Sequence, residues 1–329
     1  MRDNILGMLL DNKEGYLSGE EISSVLGITR AGVWKHMKSL QEDGFQIEAK
    51  PRLGYRLVSI PETLDSLTLL ATMRTQAMGR NIEIYETIGS TNTRAKELAL
   101  KGAPEGTLII AETQTVGKGR LGRGWLSTRK KGIWMSLILR PDIPPVQSPG
   151  ITTAAAVAVR GALAKISGLD IGIKWPNDII LDGKKVCGIL TEMHADLDRI
   201  HYIVVGVGIN ANQERDDFPE GLISTATSLK IALNHKVDRR EIIALTMEEI
   251  ERLYFSYIKN DNFKDILEES RLFSVTLGRK VKIIGKDTEF EGFALDFDVD
   301  GSLLVKRNDG IITKVMSGDV SVRGEEGYV

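Results

Sequence analysis

Three short stretches of this chain carry residue types that could handle anions. The first, "VGKGRLGRGW", runs from Val116 to Trp125 and interleaves Gly117, Gly119, Gly122 and Gly124 with Lys118, Arg120 and Arg123. From Thr113 to Lys131 there are six Lys/Arg and no Asp or Glu. Glycine lets backbone N–H groups approach a phosphate closely, and the cations offset its charge. Trp125, which closes the stretch, suits either a core anchor or a surface on which an adenine stacks. The second stretch, "GSTNTRAKE", places Ser90, Thr91 and Asn92 just before a helix. Capping accounts for one of them, and three small polar side chains could also grip a polar ring. The third, "KWPNDIILDGKKVCGI", carries Lys174, Asn177 and Asp178, then a hairpin turn at Asp182-Gly183, then Lys184 and Lys185. Two lysines and an acid converging on one hairpin suit a reaction that joins anions, although each alone also fits a solvated turn.

Gly117, Gly119 and Gly122 also spell G-x-G-x-x-G, the spacing of a dinucleotide-binding turn. Such a turn must lead straight into a helix whose N-terminus receives the pyrophosphate. Here Gly122 leads into Arg-Gly-Trp-Leu-Ser and then a β-rich run, Gly132–Leu139, while Asp142 sits in a proline-rich turn. The context excludes a nicotinamide dehydrogenase. His36, His194, His201 and His235 do not cluster at zinc spacing, and there is no C-x-x-C and no G-x-S-x-G.

The frame around these stretches is that of an ordinary soluble protein. The 329 residues are 42% hydrophobic and 27% charged with a net charge of −2, enough for two or three domains and without a global bias toward nucleic acid. The single Cys187 excludes an intrachain disulfide and fits a reducing compartment. No apolar run reaches the length of a membrane span, since Thr152–Ile166 is broken by Arg160 and Lys165. The opening "MRDNILGMLLDNKEG" lacks a signal-peptide pattern, so a cytoplasmic location is expected.

Residues 3–11 predict a helix with Ile5, Leu6, Leu9 and Leu10 inward. Ser18 reads as the N-cap of a second, with Ile22, Val25 and Leu26 on its apolar face, ended by Gly27. A third helix, Arg30 to about Glu42, buries Val33, Met37 and Leu40, and "FQIEAKPRLGYRLV" reads as two strands of a wing. Helix, tight turn and helix make a helix-turn-helix. From Ile28 to Val58 there are six Lys/Arg against three acids, whereas Arg2–Gly27 has two against five. That local excess is what phosphate contacts need. Arg30, Trp34, Lys35, Lys38, Arg52 and Arg56 are the candidate DNA contacts, with a solvated face of an interaction domain as the alternative. Pro61 marks a boundary, and the mixture of strands and helices beyond it predicts an α+β domain with a mixed sheet.

"STN" at Ser90–Asn92, "GKGRLGRGW" at Gly117–Trp125, "KWPND" at Lys174–Asp178, "KKVCGIL" at Lys184–Leu190 and "GVGIN" at Gly206–Asn210, in this order, resemble the biotin–protein ligases. With the helix-turn-helix, the chain is similar to the bifunctional kind that also represses the biotin operon. The resemblance covers essentially the whole chain and implies three domains. These are a winged helix-turn-helix over 1–62, a catalytic domain over 63–272, and an SH3-like β-barrel over 273–329. It implies that biotin and MgATP give biotinyl-5′-AMP and pyrophosphate, after which a lysine of a biotin carboxyl carrier protein attacks the adenylate. It further implies homodimerisation and operator binding with the adenylate bound.

By the same resemblance, Lys185, Arg120 and Asp178 are catalytic. Ser90, Thr91, Asn92, Gln114, Gly117, Lys118, Lys185 and Gly188 bind biotin. Lys118, Arg120, Arg123, Trp125, Lys174, Asn177 and Asn210 bind ATP or the adenylate, Asn177 and Asp178 hold Mg²⁺, and Gln213–Ser224 closes the adenine side. One departure is visible. The family loop commonly reads G-R-G-R, whereas this chain has Gly117-Lys118-Gly119-Arg120, which keeps the charge but loses one planar fork. A lipoate–protein ligase, and a repressor that only senses its ligand, are the rival readings.

Overall fold

The computed structural model describes residues 1–12, 14–61, 63–260, 262–285, 289–317 and 321–324. Residue 62, where the first expected domain ends, and residues 325–329, which close the third, lie outside them. The chain divides into two compact units, Met1–Arg74 and Thr75–Val329.

In the first unit, α1 (Arg2–Asp11), α2 (Gly19–Leu26) and α3 (Arg30–Glu42) precede a hairpin of β1 (Gln46–Lys50) and β2 (Gly54–Ser59), and α4 (Ser66–Thr72) follows. The starts of α2, α3 and α4 are capped by side chains. The Ser18 hydroxyl accepts from Glu21 N at 3.0 Å, Thr29 accepts from Gly32 N at 3.1 Å, and Asp65 accepts from Thr68 N at 2.8 Å. Gly27 ends α2 at φ 63°, so the chain turns directly into α3. Ile5, Leu6, Leu9, Ile22, Val33, Met37 and Leu40 meet Phe45, Ile47 and Leu57 of the hairpin and Ala71 of α4 in one core. Val25 departs from the expected apolar face and is 66% exposed. Leu26 and Ile28 make the core contact on that side instead. The hairpin gains a third edge because Leu17 and Tyr55 exchange backbone hydrogen bonds of 2.9 and 2.8 Å. A Cβ at Gly54 would lie 2.0 Å from Leu17 O, and its φ is +112°, so only glycine fits there.

The second unit is built on a mixed seven-stranded sheet. In chain order its elements are β3 (Asn81–Tyr85), α5 (Thr91–Leu100), β4 (Thr107–Ala111), β5 (Ile133–Leu139), α6 (Pro149–Ser167), β6 (Ile171–Lys174), β7 (Asp178–Leu181), β8 (Lys184–Ala195) and β9 (Ile200–Ile209). The strand order is β3-β4-β5-β9-β8-β7-β6, with β3 and β4 parallel and the other neighbours antiparallel. Every residue of β4 and β5 is buried, which accounts for their unbroken apolar runs. Four short or long helices follow: α7 (Glu220–Ile223), α8 (Leu229–Leu233), α9 (Arg239–Asn260) and α10 (Phe263–Leu272). The alanine-rich α6 packs against α9. Its small side chains at Ala154, Ala155, Ala158 and Ala162 are all buried.

The C-terminal strands β10 (Lys280–Ile284), β11 (Glu289–Phe297), β12 (Leu303–Arg307), β13 (Ile312–Val315) and β14 (Ser321–Gly324) make a five-stranded antiparallel sheet, ordered β13-β12-β11-β10-β14. Val281, Ile283, Ala294, Phe297, Leu303 and Val305 form its core together with Trp175 of the larger sheet's β6–β7 turn. Trp175 Nε1 donates to Gly301 O at 3.0 Å, so the "KWPND" turn is clamped between the two sheets. Among the described residues no helix is long and apolar enough to cross a membrane.

Candidate functional site

A cavity of about 460 Å³ opens over β5, β9, β8 and β7 in the second unit. Its floor is made possible by glycines at alternating positions of β9 and at one position of β8. A Cβ at Gly208 would lie 2.6 Å from the Trp125 ring, one at Gly188 2.7 Å from it, and one at Gly206 2.1 Å from Asn92 Oδ1. Gly206 and Gly208 are two residues apart and so face the same side of the sheet. The "GVGIN" motif therefore hollows the sheet for the Asn92 amide and the Trp125 indole.

Ser90, Thr91 and Asn92 form one wall at the start of α5, all at most 5% exposed. Ser90 is the N-cap residue, yet its side chain makes no capping hydrogen bond. Gln114 is locked across from it. Its Oε1 accepts from Thr91 N at 2.8 Å and Thr91 Oγ1 at 3.1 Å, and its Nε2 donates to Ser127 Oγ at 3.0 Å. The Asn92 amide is spent on the protein: Oδ1 accepts from Ser136 Oγ at 2.6 Å and Nδ2 donates to Glu192 Oε2 at 2.9 Å.

The glycine-rich loop folds over the cavity as a narrow hairpin. Trp125 N donates to Gly117 O at 2.9 Å and Gly119 N to Arg123 O at 2.7 Å, around a turn in which Leu121 and Gly122 have φ of 56° and 73°. After Trp125 the chain continues into β5, with no helix to receive a dinucleotide pyrophosphate. Gly117 is absent from the cavity wall; a Cβ there would lie 2.4 Å from Trp125 O, so its bareness serves the hairpin's own closure. Lys118, Arg120, Arg123 and Trp125 all line the cavity. Arg120 Nη1 donates to Asn177 Oδ1 at 2.8 Å, and its Nη2 reaches Ser317 O beside the C-terminal sheet. Trp125 is half-buried, edge-on to Trp134 at 6.3 Å, with Lys185 Nζ 5.2 Å from its ring centroid. It is thus both anchored and cavity-lining.

The opposite wall is the β6–β7–β8 meander. A bulge displaces the β7–β8 register: Ile179 pairs with Cys187 and Ile180 with Lys185, leaving Val186 as the extra residue. The bulge lets Lys185 and Gly188, three residues apart, share the cavity face, where Lys185 Nζ meets Asp178 Oδ1 at 2.6 Å. Asn177 Nδ2 donates to Ile189 O at 2.7 Å, and Asn210 Nδ2 to Thr227 O at 3.0 Å. Lys174, only 5% exposed, is pushed down to about 8 by burial, which outweighs the attraction of Asp178, while Arg323, Lys185 and Arg123 add repulsion. An anionic ligand favours its protonated form, so above pH 8 binding must take up a proton. Affinity for a polyphosphate is therefore expected to fall by up to about tenfold per pH unit above that point. The Kd for inorganic triphosphate, measured from pH 7 upward, should rise through that value in the unaltered chain relative to Lys174→Gln.

Every sequence-predicted ligand residue except Gly117 thus lines one cavity. The structure adds Met135, Phe218, Leu222, Thr225 and, from β14, Arg323. Phe218 and Leu222 fall in the Gln213–Ser224 segment expected on the adenine side, whereas Met135, Thr225 and Arg323 had no local signal and are brought in by the pairing of strands distant in sequence. That segment is tied down, with Lys131 Nζ 2.7 Å from Asp217 and Lys185 N donating to Thr225 O at 2.8 Å. Among the described residues no group of three His, Cys, Asp or Glu side chains could hold a metal ion.

In the first unit, Arg30, Trp34, Lys35 and Lys38 are exposed on α3, Trp34 to 59%. Arg52 sits exposed at the β1–β2 turn with φ 69°. Arg30 is paired with Glu20, and Arg56 with Glu48 at 2.7 Å over the Tyr16 ring. The Tyr16 hydroxyl, donating to Glu48, is the main cause holding that carboxyl at about 2.

Residues 84–210 match the Biotin/lipoate A/B protein ligase family, residues 2–56 an HTH domain, and residues 276–323 the Biotin protein ligase C terminal domain. The bifunctional ligase/repressor BirA of Bacillus subtilis (strain 168) is 39% identical over 322 residues, 98% of each chain. That of Escherichia coli (strain K12) is 28% identical over 330 residues, 99% of this chain and 100% of the other. The structure of the biotin protein ligase from Aquifex aeolicus in complex with biotin and ATP superposes with a TM-score of 0.65 at 29% identity. It covers 75% of this chain and 100% of that one.

Proposed function

This chain belongs to the family of bifunctional biotin–protein ligase/repressors, and from that premise we propose how its cavity makes and transfers biotinyl-5′-AMP. The activity is ATP-dependent ligation of biotin to protein, joined to transcriptional repression through the helix-turn-helix. The observation that carries the reading is the convergence of Lys118, Arg120, Lys174 and Lys185 with the Ser90–Asn92 wall on one cavity.

In the first step a biotin carboxylate oxygen attacks the α-phosphorus of ATP, the bond to the bridging oxygen breaks, and pyrophosphate leaves. Two anions must meet, and the repulsion is the barrier that Lys185, Lys118 and Arg120 offset. Ser90, Thr91 and Gln114 hold the ureido ring, and the bare Gly188 seats Trp125 and Lys185 beside the carboxylate. Arg123, Lys174, Asn177 and Asn210 take the nucleotide side beside Trp125. Mg²⁺ enters as part of the substrate MgATP. Asp178 and Asn177 are the residues that would hold it, and it would offset the charge of the phosphates. In the second step a carrier lysine amine attacks the mixed-anhydride carbonyl, AMP leaves, and Asp178 assists loss of the amine proton. The folded loop excludes water from an anhydride that water would destroy.

The remaining assignments follow the same reading. The acceptor is a biotin carboxyl carrier protein, and the chain works in the cytoplasm. The division of labour runs 1–62 for DNA, 63–272 for ligation and 273–329 as the C-terminal domain. The exposed cations of α3 and the β1–β2 hairpin bind operator DNA as a homodimer, which adenylate favours by ordering the Gly117–Trp125 loop. Sedimentation should show more dimer with biotinyl-5′-AMP than without; identical equilibria contradict that switch. Transfer of labelled biotin to a biotin-acceptor domain, dependent on ATP, tests the ligase itself, and its absence leaves only a ligand-sensing repressor.

A further inference from the structure

Ser136 sits in the middle of β5, has no exposed surface, and is flanked by the buried Met135 and Leu137. A hydroxyl so placed needs partners. It has two, Thr91 Oγ1 at 2.8 Å and Asn92 Oδ1 at 2.6 Å. Ser136 owns one hydrogen, and a carbonyl-type oxygen such as Asn92 Oδ1 can only accept. The Asn92 amide cannot be turned round, because its Nδ2 donates to Glu192 Oε2 at 2.9 Å and Lys96 holds that carboxylate at 2.7 Å. The hydrogen of Ser136 therefore goes to Asn92, leaving its lone pairs for Thr91. Thr91 in turn spends its one hydrogen on Ser136, the nearer acceptor at 2.8 Å, while Gln114 Oε1 takes the Thr91 backbone N–H at 2.8 Å. The cavity-lining oxygen of Thr91 then has only acceptor capacity left.

We propose that Ser136 is a positioning residue for the ligase reaction, holding the Thr91 hydroxyl as an acceptor for an N–H of the biotin ureido ring. Asn92, seated over the bare Gly206, and Glu192 keep Ser136 in register. The inference rests on the biotin-ligase reading of the cavity.

The test is Ser136→Ala in the full chain, with biotin and ATP titrated separately in ATP–pyrophosphate exchange. The KM for biotin is expected to rise about tenfold, the scale of one or two lost buried hydrogen bonds, with kcat and the KM for ATP within about twofold. Ser136→Cys keeps a weak donor and acceptor in nearly the same volume, so its KM for biotin should lie between the two. If the alanine variant does not fold, the cysteine variant carries the test with a rise of about threefold. An unchanged KM for biotin in a folded variant, or a fall in kcat at constant KM, overturns the role of Ser136. Lack of any biotin-dependent exchange in the unaltered chain overturns instead the ligase reading on which it rests.

Discussion

Lys185→Ala is expected to lower biotin-dependent ATP–pyrophosphate exchange by about 10²–10³-fold, the scale of losing one preorganised charge at a transition state. Two effects act in the same direction. The change removes a cation from the place where the carboxylate and α-phosphate must meet. It also removes the ammonium that sits 2.6 Å from Asp178, so that a half-buried carboxylate faces the incoming anions without that neighbour. Lys185→Arg keeps the charge, yet the guanidinium is broader and less able to sit beside the Trp125 ring and over Gly188. Its exchange rate should fall between the other two. Thermal unfolding close to that of the unaltered chain would show that the loss is chemical. Near-normal exchange by a folded Lys185→Ala protein contradicts the assignment.

The largest effect on stability is expected at Glu112→Ala. Arg239, at the start of α9, donates to Glu112 Oε2 at 2.5 Å and Oε1 at 3.0 Å and to Gly132 O at 3.1 Å. The two side chains are 7% and 3% exposed. Truncating the acid leaves a guanidinium buried against a carbonyl, a change that costs about 3–5 kcal/mol. For a unit of this size that corresponds to a fall of about 10 °C in Tm. Replacing both partners, with Glu112→Leu and Arg239→Met, removes the stranded charge and should recover most of the loss. A double variant no more stable than Glu112→Ala would show that the pair itself, and not the uncompensated charge, carries the effect. The pair also fastens both ends of the loop segment, since Glu112 lies two residues before Gln114 and Gly132 opens β5. Weaker binding of biotin should accompany the lower Tm.

Much of this architecture was legible because its signals are local. Ser18 and Gly27 marked the boundaries of α2 through caps that need no distant partner. The cation-rich glycine loop and the Asp182-Gly183 hairpin likewise announced anion chemistry within a few residues of chain. What was hidden depends on register and long-range packing. Gly117 carries the same sequence signal as a ligand-facing glycine, but cross-loop pairing with Trp125 decides its role. Asn92 lines the cavity as expected, but the hydrogen bonds of its amide to Ser136 and Glu192, 44 and 100 residues away, carry no local signal. The bulge at Val186, which turns Lys185 into the cavity, appears only once β7 and β8 are paired. Arg323 reaches the cavity from the last strand, a placement that no local periodicity encodes. Val25 shows the converse, a residue at helical spacing whose burial was lost to its neighbours Leu26 and Ile28.

The central claim is that this cavity activates biotin by adenylation. The most direct measurement is ATP–pyrophosphate exchange by the purified full chain, run with biotin, with lipoate and with neither. Exchange that requires biotin and is not supported by lipoate is the predicted result. Exchange driven by lipoate, or none with either acid, contradicts it.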